Sequence, residues 1–265
     1  MTTAVVDTLT MLDRKLRHLR RAPGELLGVT LTPVTMVVVV GYLLNKAITM
    51  PGNANYLDFM MAGAGAQVGL GCFGTSAISV ADDLRNGLVD RFRSLPVHRI
   101  PVLLAQTLSD LALTGVGMAL AGAVGWLLGW RIHTGLLPAL AGFALLLALT
   151  FLLSWFGVLA GLVVHSMSAV NSLSGLVLVV GSFLSSAFVP LSSLPGWLRP
   201  VAEWSPISTV VTATRQLWGN PVANTGDSLA ITHPAAAALA TIAFLIIAVV
   251  PLSARLYRTA SEKSR

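Results

Sequence analysis

Polar positions along this chain are bunched, and between the bunches lie six long apolar stretches, at about 26–48, 57–80, 102–130, 136–164, 172–193 and 233–253. The stretches are continuously apolar rather than alternating, which predicts helices and not barrel strands. Each has about 20 residues or more, enough at 1.5 Å rise per residue to cross a hydrocarbon core of about 30 Å. The third and fourth run to about 29 residues, so they tilt or project beyond the bilayer. The pattern predicts an all-α membrane protein with six transmembrane helices.

Ahead of the first stretch, Val5, Leu9, Leu12, Leu16 and Leu19 recur at helical spacing, with Arg14, Arg17 and Arg21 elsewhere on the helix. Such a helix over residues 1–25 suits the headgroup layer; a soluble helix packed on a partner is the plainer reading. Pro23-Gly24 then turns the chain into the membrane. The first stretch is too long for a signal-peptide core and reads as an uncleaved span. The membrane domain thus covers 26–253, and 254–265 form a basic tail.

Composition sharpens the picture. Only 11% of residues are charged and the mean hydropathy is +0.78, against roughly 25% charged residues in a soluble domain. The net charge of +6 sits at membrane boundaries, which favours an anionic lipid surface over nucleic acid. Arginine and lysine cluster before the first stretch, between the second and third (Arg85, Arg91, Arg93, Arg99) and after the last, leaving Lys46, Arg131, Arg199 and Arg215 on the other side. That asymmetry places both termini in the cytoplasm of a cell membrane. Trp126, Trp130, Trp197, Trp204 and Trp218 fall at the expected outer interface, and Trp155 lies deep. Gly65–Gly69, Gly125–Gly129 and Gly157–Gly161 offer close helix approaches. Cys72 is a lone thiol inside the second stretch, without a disulfide or zinc partner.

The loop between the second and third stretches carries the densest mixture of acids, bases and apolar residues. Leu84, Leu88, Phe92 and Leu95 lie three or four apart and predict a short amphipathic helix stopped by Pro96, with Asp82 and Asp83 at its start. A charged loop that merely enforces topology is the bland reading; a docking surface for another protein fits the mixture better.

The order Asp83-Leu84, Gly87, Arg91, Leu95-Pro96 and Arg99 resembles the coupling region of type-2 ABC exporter (ABC-2) permeases. The later Phe188, Pro190, Leu194-Pro195, Trp197-Leu198 and Pro206 resemble the second hallmark of that family. The chain is similar in particular to the daunorubicin/doxorubicin-resistance type permeases of actinobacteria, and so to bacterial proteins. Ser205-Pro206 stands where many members have Asn-Pro. The resemblance implies a permease subunit in which Asp82, Asp83, Leu84, Gly87, Arg91, Leu95, Pro96 and Arg99 engage a cytoplasmic ATPase that binds ATP and magnesium. It also implies a second permease chain, identical or related, to complete the pathway.

Between the fifth and sixth stretches, Pro195, Pro200 and Pro206 punctuate a segment too apolar for an aqueous loop. Short helices in the outer leaflet, or helices dipping back into it, are both open readings. In the family resembled, re-entrant elements cap the exit, which makes Pro190, Pro195, Trp197, Leu198 and Pro206 an expected outer gate.

Inside the membrane, Asp110 is the outstanding charge. An acid at mid-span costs about 2.5–3.5 kcal/mol to insert and is a functional suspect, although a structural or interfacial place near the headgroups is the other reading. Gln67, Gly71, Ser182, Ser185 and Ser186 either bond neighbouring helices or line a route for an amphipathic molecule. No Gly-x-x-x-x-Gly-Lys-Ser/Thr or His-Glu-x-x-His occurs, so the chain is expected neither to hydrolyse ATP itself nor to hold a metal or cofactor. The resulting expectation is a permease for a hydrophobic or amphipathic drug-like metabolite or lipid. A proton-coupled secondary transporter using Asp110 is the alternative, and an intramembrane enzyme lacks a convergent catalytic set.

Overall fold

A computed structural model of the chain describes residues 31, 33–43, 55–85, 99–164, 166–191, 194–222 and 228–263. Among the described residues the protein is all helical. Tyr56–Arg85 (α1), Arg99–Leu127 (α2), Leu136–Val163 (α3) and Pro234–Lys263 (α8) each contain a stretch long and apolar enough to cross a membrane, while the apolar Met167–Phe183 (α4) is shorter. Arg199–Glu203 (α5), Pro206–Trp218 (α6) and Leu229–Thr232 (α7) lie between α4 and α8. Of the first apolar stretch, the described part includes a π-helical turn, Val37–Leu43, packed on α1. The expected N-terminal helix over 1–25 lies outside the described residues.

Helix α1 is the axis of the bundle, with α2, α3, α4, α6 and the π-helical turn packed around it. Its closest neighbour is α3, and glycine makes that approach possible from both sides. A Cβ on Gly65 would stand 2.7 Å from Leu146, and one on Gly69 2.7 Å from Thr150. In return, a Cβ on Gly157 would stand 2.3 Å from the Phe73 carbonyl oxygen and one on Gly161 2.5 Å from that of Ala77. Two of the three expected glycine pairs are therefore packing surfaces. The third divides. Gly125 gives room to Met61, whereas Gly129, at φ +109°, lies beyond the end of α2 in a conformation that disfavours a side chain.

The fifth apolar stretch, expected over 172–193, is helical only to Phe183. The cause is a set of hydroxyl groups that offer the backbone other partners. Ser185 Oγ donates to Gly181 O at 2.6 Å and accepts from Ala187 N at 3.3 Å, and Ser186 N donates to Ser208 Oγ at 3.0 Å. Pro190, three residues on, lacks the donor that would resume a helix. The break at 184–190 sends the chain toward α6.

Helix α6 begins with Pro206 in its first turn and ends at Gly219, which adopts φ +68° while Asn220 N reaches back to Arg215 O at 2.9 Å. Nearly all of it is buried, against α1, α3 and α8. Of the two readings of this outer segment, a helix resting on the surface does not describe α6; it is packed inside protein. The same packing corrects the aromatic belt. Trp126, Trp197 and Trp204 are exposed, but Trp130 and Trp218 are 4% and 1% exposed and meet edge to face at 5.0 Å. Trp218 Nε1 donates to Ala139 O at 3.1 Å, and its ring occupies the space left by Gly142. These two rings are core, not interfacial anchors.

Candidate functional site

Three places bear the residues singled out by the sequence. The first is the carboxyl end of α1. Asp82, Asp83 and Leu84 lie in its last turn rather than at the start of a separate loop helix. The apolar run simply continues through Val80 and Ala81, so the helix carries the two acids to its carboxyl end, where Arg85 offsets their unfavourable placement on the helix dipole. Leu84 packs against the cluster of Val80, Trp155, Val158, Leu162, Val249 and Tyr257, which joins α1 to α3 and α8. Asp82 is exposed. Arg99 opens α2, while Gly87, Arg91, Leu95 and Pro96 lie outside the described residues.

The second place is the seam between α1 and α4. Gly74 faces Ser174, Leu70 faces Gly181, and Ala77 and Ala81 cluster with Val170. Rising numbers on one helix pair with falling numbers on the other, so the two run antiparallel. A residue one step past a seam position lies about 100° round its helix, and between antiparallel helices that step leads to the same flank on both. On α1 it leads to Gly71, Thr75, Ile78 and Asp82; on α4 to Asn171, Gly175, Leu178 and Ser182.

This flank is the open side of α1, whose remaining surface is almost entirely buried. Gly71, Thr75, Asn171 and Gly175 are exposed, and nothing would meet a Cβ on either glycine within 4 Å. Gln67 stands half-buried on the same stripe, with Oε1 lacking a hydrogen-bond partner. Ser182 closes the flank at the carboxyl end of α4; it is buried, and its hydroxyl too lacks a partner. Ser185 and Ser186 are elsewhere. Both are buried in the break after α4, where Ser186 Oγ contacts Ser208 O at 3.3 Å and Thr212 Oγ1 at 3.4 Å. Ser186 ties the break to α6, while Ser185 bonds within the break itself. Sequence reading missed Thr75 and Asn171, although the spacing 67, 71, 75 was there to extend.

Asp110 forms the third place, a buried polar node between α1 and α2. Ser76 Oγ donates to its Oδ2 at 2.7 Å, Gln106 Nε2 approaches both carboxylate oxygens at 3.3 Å, and Thr114 Oγ1 donates to its backbone oxygen at 2.7 Å. Neutral donors from two helices thus stabilise the carboxyl group. Asp110 is part of a helix–helix joint and does not face the seam flank. Among the described residues, no group of three or more His, Cys, Asp or Glu side chains could hold a metal ion.

The start of α1 and the turn after α2 connect these parts to the end of α6. Asn220 Nδ2 donates to Asp58 O at 3.0 Å, His133 N to Trp218 O at 2.9 Å and Thr134 Oγ1 to Leu217 O at 2.6 Å. Of the expected gate residues, Pro190 is half-buried, Pro195 and Trp197 are exposed, Leu198 is half-buried and Pro206 starts α6.

The described residues thus form a bundle of apolar helices packed around α1, with a weakly polar open flank and a buried α6. The model of the ABC-2 type transporter family matches residues 6–218, and the chain belongs to that family. It is 29% identical over 256 residues, 97% of this chain and 87% of the relative, to the daunorubicin resistance ABC transporter permease protein DrrB1 of Streptomyces coeruleorubidus. It is 28% identical over 226 residues, 82% of this chain and 79% of the relative, to the probable doxorubicin resistance ABC transporter permease protein DrrC of Mycobacterium tuberculosis. The doxorubicin resistance permease DrrB of the same organism is 28% identical over 178 residues, 67% of this chain and 61% of the relative.

Proposed function

We propose that this chain is the permease subunit of an ATP-driven exporter that moves a hydrophobic or amphipathic compound, a drug-like metabolite or a lipid, out across the bacterial cell membrane. Membership of the ABC-2 family is the observation that carries the reading. The seam flank supports it, because Gln67, Thr75, Asn171 and Ser182 offer amide and hydroxyl groups beside Gly71, and the flank's charge, Asp82, stands at the very end of α1. Such a surface suits a molecule with scattered polar atoms on an apolar body. The ATPase, with its ATP and magnesium, resides on a separate cytoplasmic subunit, and two permease chains enclose the pathway between their seam flanks.

In this reading the chain has six spans and two cytoplasmic termini, with the N-terminal helix at the lipid surface. Asp82, Asp83, Leu84, Gly87, Arg91, Leu95, Pro96 and Arg99 receive the motion of the ATPase. The break at 184–190 and α6 close the outer end, and Pro190, Pro195, Trp197, Leu198 and Pro206 shape that closure.

The test is transport by inside-out vesicles containing the chain with its ATPase. A fluorescent anthracycline should accumulate on ATP addition and do so regardless of a protonophore. Accumulation driven by a pH gradient without ATP would instead establish the proton-coupled reading through Asp110, for which its burial is the favouring observation. Topology is checked separately. In a Cys72→Ser background, Thr225→Cys should react with an impermeant thiol reagent from outside, whereas Asp90→Cys should react only after permeabilisation. The reverse labelling would overturn the orientation.

A further inference from the structure

In the sequence Arg215 is one of a few bases on the outer side, yet its side chain is fully buried in α6. Nε donates to Phe59 O at 2.8 Å and Nη2 to Ala187 O at 2.8 Å, and the guanidinium lies 3.6 Å from the centre of the Phe59 ring. No carboxylate among the described residues pairs with it, and Nη1 has no hydrogen-bond partner. A buried cation held only by carbonyls and a ring is an uncommon arrangement.

Three pieces of chain meet at this one side chain. The start of α1 supplies Phe59, the break after α4 supplies Ala187, and α6 supplies the cation. Gly63 lets the break lie directly on α1, since a Cβ there would stand 2.0 Å from Ala187 O. Tyr56 Oη donates to Phe188 O at 3.4 Å beside it. The planar fork of arginine reaches both carbonyls while stacking on the ring; the single ammonium of lysine cannot do all three.

The choice of partners bears on motion. A carboxylate would lock a buried arginine, because separating such a pair leaves a charge stranded on each side. Two carbonyl acceptors hold it more weakly. If the break moves away from α1, the guanidinium, including the unpartnered Nη1, gains water in exchange for the lost bonds. The contact therefore fits a joint that is made and broken.

We propose that Arg215 is the pin of the exit barrier, a positioning residue that holds the break after α4 and the outer end of α1 against α6 in the closed state and releases them when the exit opens. The proposal rests on reading the outer segment as that barrier.

The experiment uses the full permease chain assembled with its ATPase, in a Cys72→Ser background with Ala187→Cys as reporter. Ala187 is buried, so the reporter should resist an impermeant maleimide. Arg215→Ala should raise external labelling about tenfold and lower export about tenfold, while ATP hydrolysis by the assembled complex stays within about twofold. Arg215→Lys, which retains the charge, should fall between Arg215→Ala and the arginine form in both labelling and export. Protected reporter and normal export in Arg215→Ala would overturn the pin. If that variant fails to assemble, Arg215→Lys decides alone, and behaviour identical to the arginine form overturns the proposal. Labelling that rises only from the cytoplasmic side would instead overturn the placement of the exit on which the pin depends.

Discussion

Arg91→Ala or Asp83→Ala should lower ATP-driven export about tenfold or more, the equivalent of about 1.4 kcal/mol of coupling, while the chain inserts and folds normally. Asp83 belongs to the last turn of α1, a helix of 30 residues, which at 1.5 Å per residue spans about 45 Å. One rigid element therefore joins the inner segment to the outer junction, where Phe59 and Gly63 meet α6 and the break after α4. In the proposed coupling, a push on residues 82–99 would pass to α3 and α8 through Leu84 and its cluster, and to α3 again through the glycine contacts. Deleting one docking charge leaves all of that packing intact. The loss should accordingly appear in export and in substrate-stimulated ATP hydrolysis, but not in the thermal midpoint of the purified chain. Normal export in both variants, with the ATPase bound as before, would remove this segment from the coupling route.

The apolar pattern located the long helices well because membrane spans are written in continuous hydrophobicity. The stretches expected at 57–80, 102–130, 136–164 and 233–253 correspond to α1, α2, α3 and α8, with ends displaced by a few residues or, in α8, by a further helical extension into the tail. What the pattern could not carry was the interior order of polar groups. Span five looked apolar to residue 193, and its helix stops at Phe183 because Ser185, Ser186 and Ser208 satisfy the backbone sideways. Such bonds depend on which helix lies opposite, and one sequence does not state that.

The same blindness affected side chains whose chemistry has two homes. Tryptophan suits an interface or a core, and Trp218 takes the core because Gly142 leaves room for its indole, with Trp130 packed against it. Arginine at a membrane boundary reads as a topology signal, yet Arg215 faces inward from α6 to two other chain segments. Gln67 and Gly71 are among the expected route residues; the structure adds Thr75 on their stripe and Asn171 across the seam, and places Gly74 in the seam against Ser174. Ser186 instead bonds to α6, and Ser185 bonds within the break after α4. The docking role proposed for Gly87, Arg91, Leu95 and Pro96 stands on motif order, since they lie outside the described residues.

Gly157→Leu should leave no assembled permease. At this position α3 lies on the backbone of α1, and the atom a side chain would strike is the Phe73 carbonyl oxygen, 2.3 Å from an ideal Cβ. A carbonyl in the middle of a helix cannot turn aside as a flexible side chain can, so the whole of α1 or α3 must shift. Overpacking of a core typically costs about 1–3 kcal/mol, and here a shift would also disturb the Gly161–Ala77 contact one turn away. Gly157→Ala, which adds a Cβ alone, should already lower the thermal midpoint in detergent and reduce co-purification with the ATPase. Gly71→Ala provides the contrast. It lies on the open flank of α1 with nothing near its Cβ, and alanine gains up to about 1 kcal/mol of helix propensity over glycine. That variant should fold at least as well, with any effect confined to transport. Equal stability for the two alanine variants, measured in the same detergent, would mean that α1 and α3 do not pack through glycine and would dissolve the lever on which the coupling argument stands.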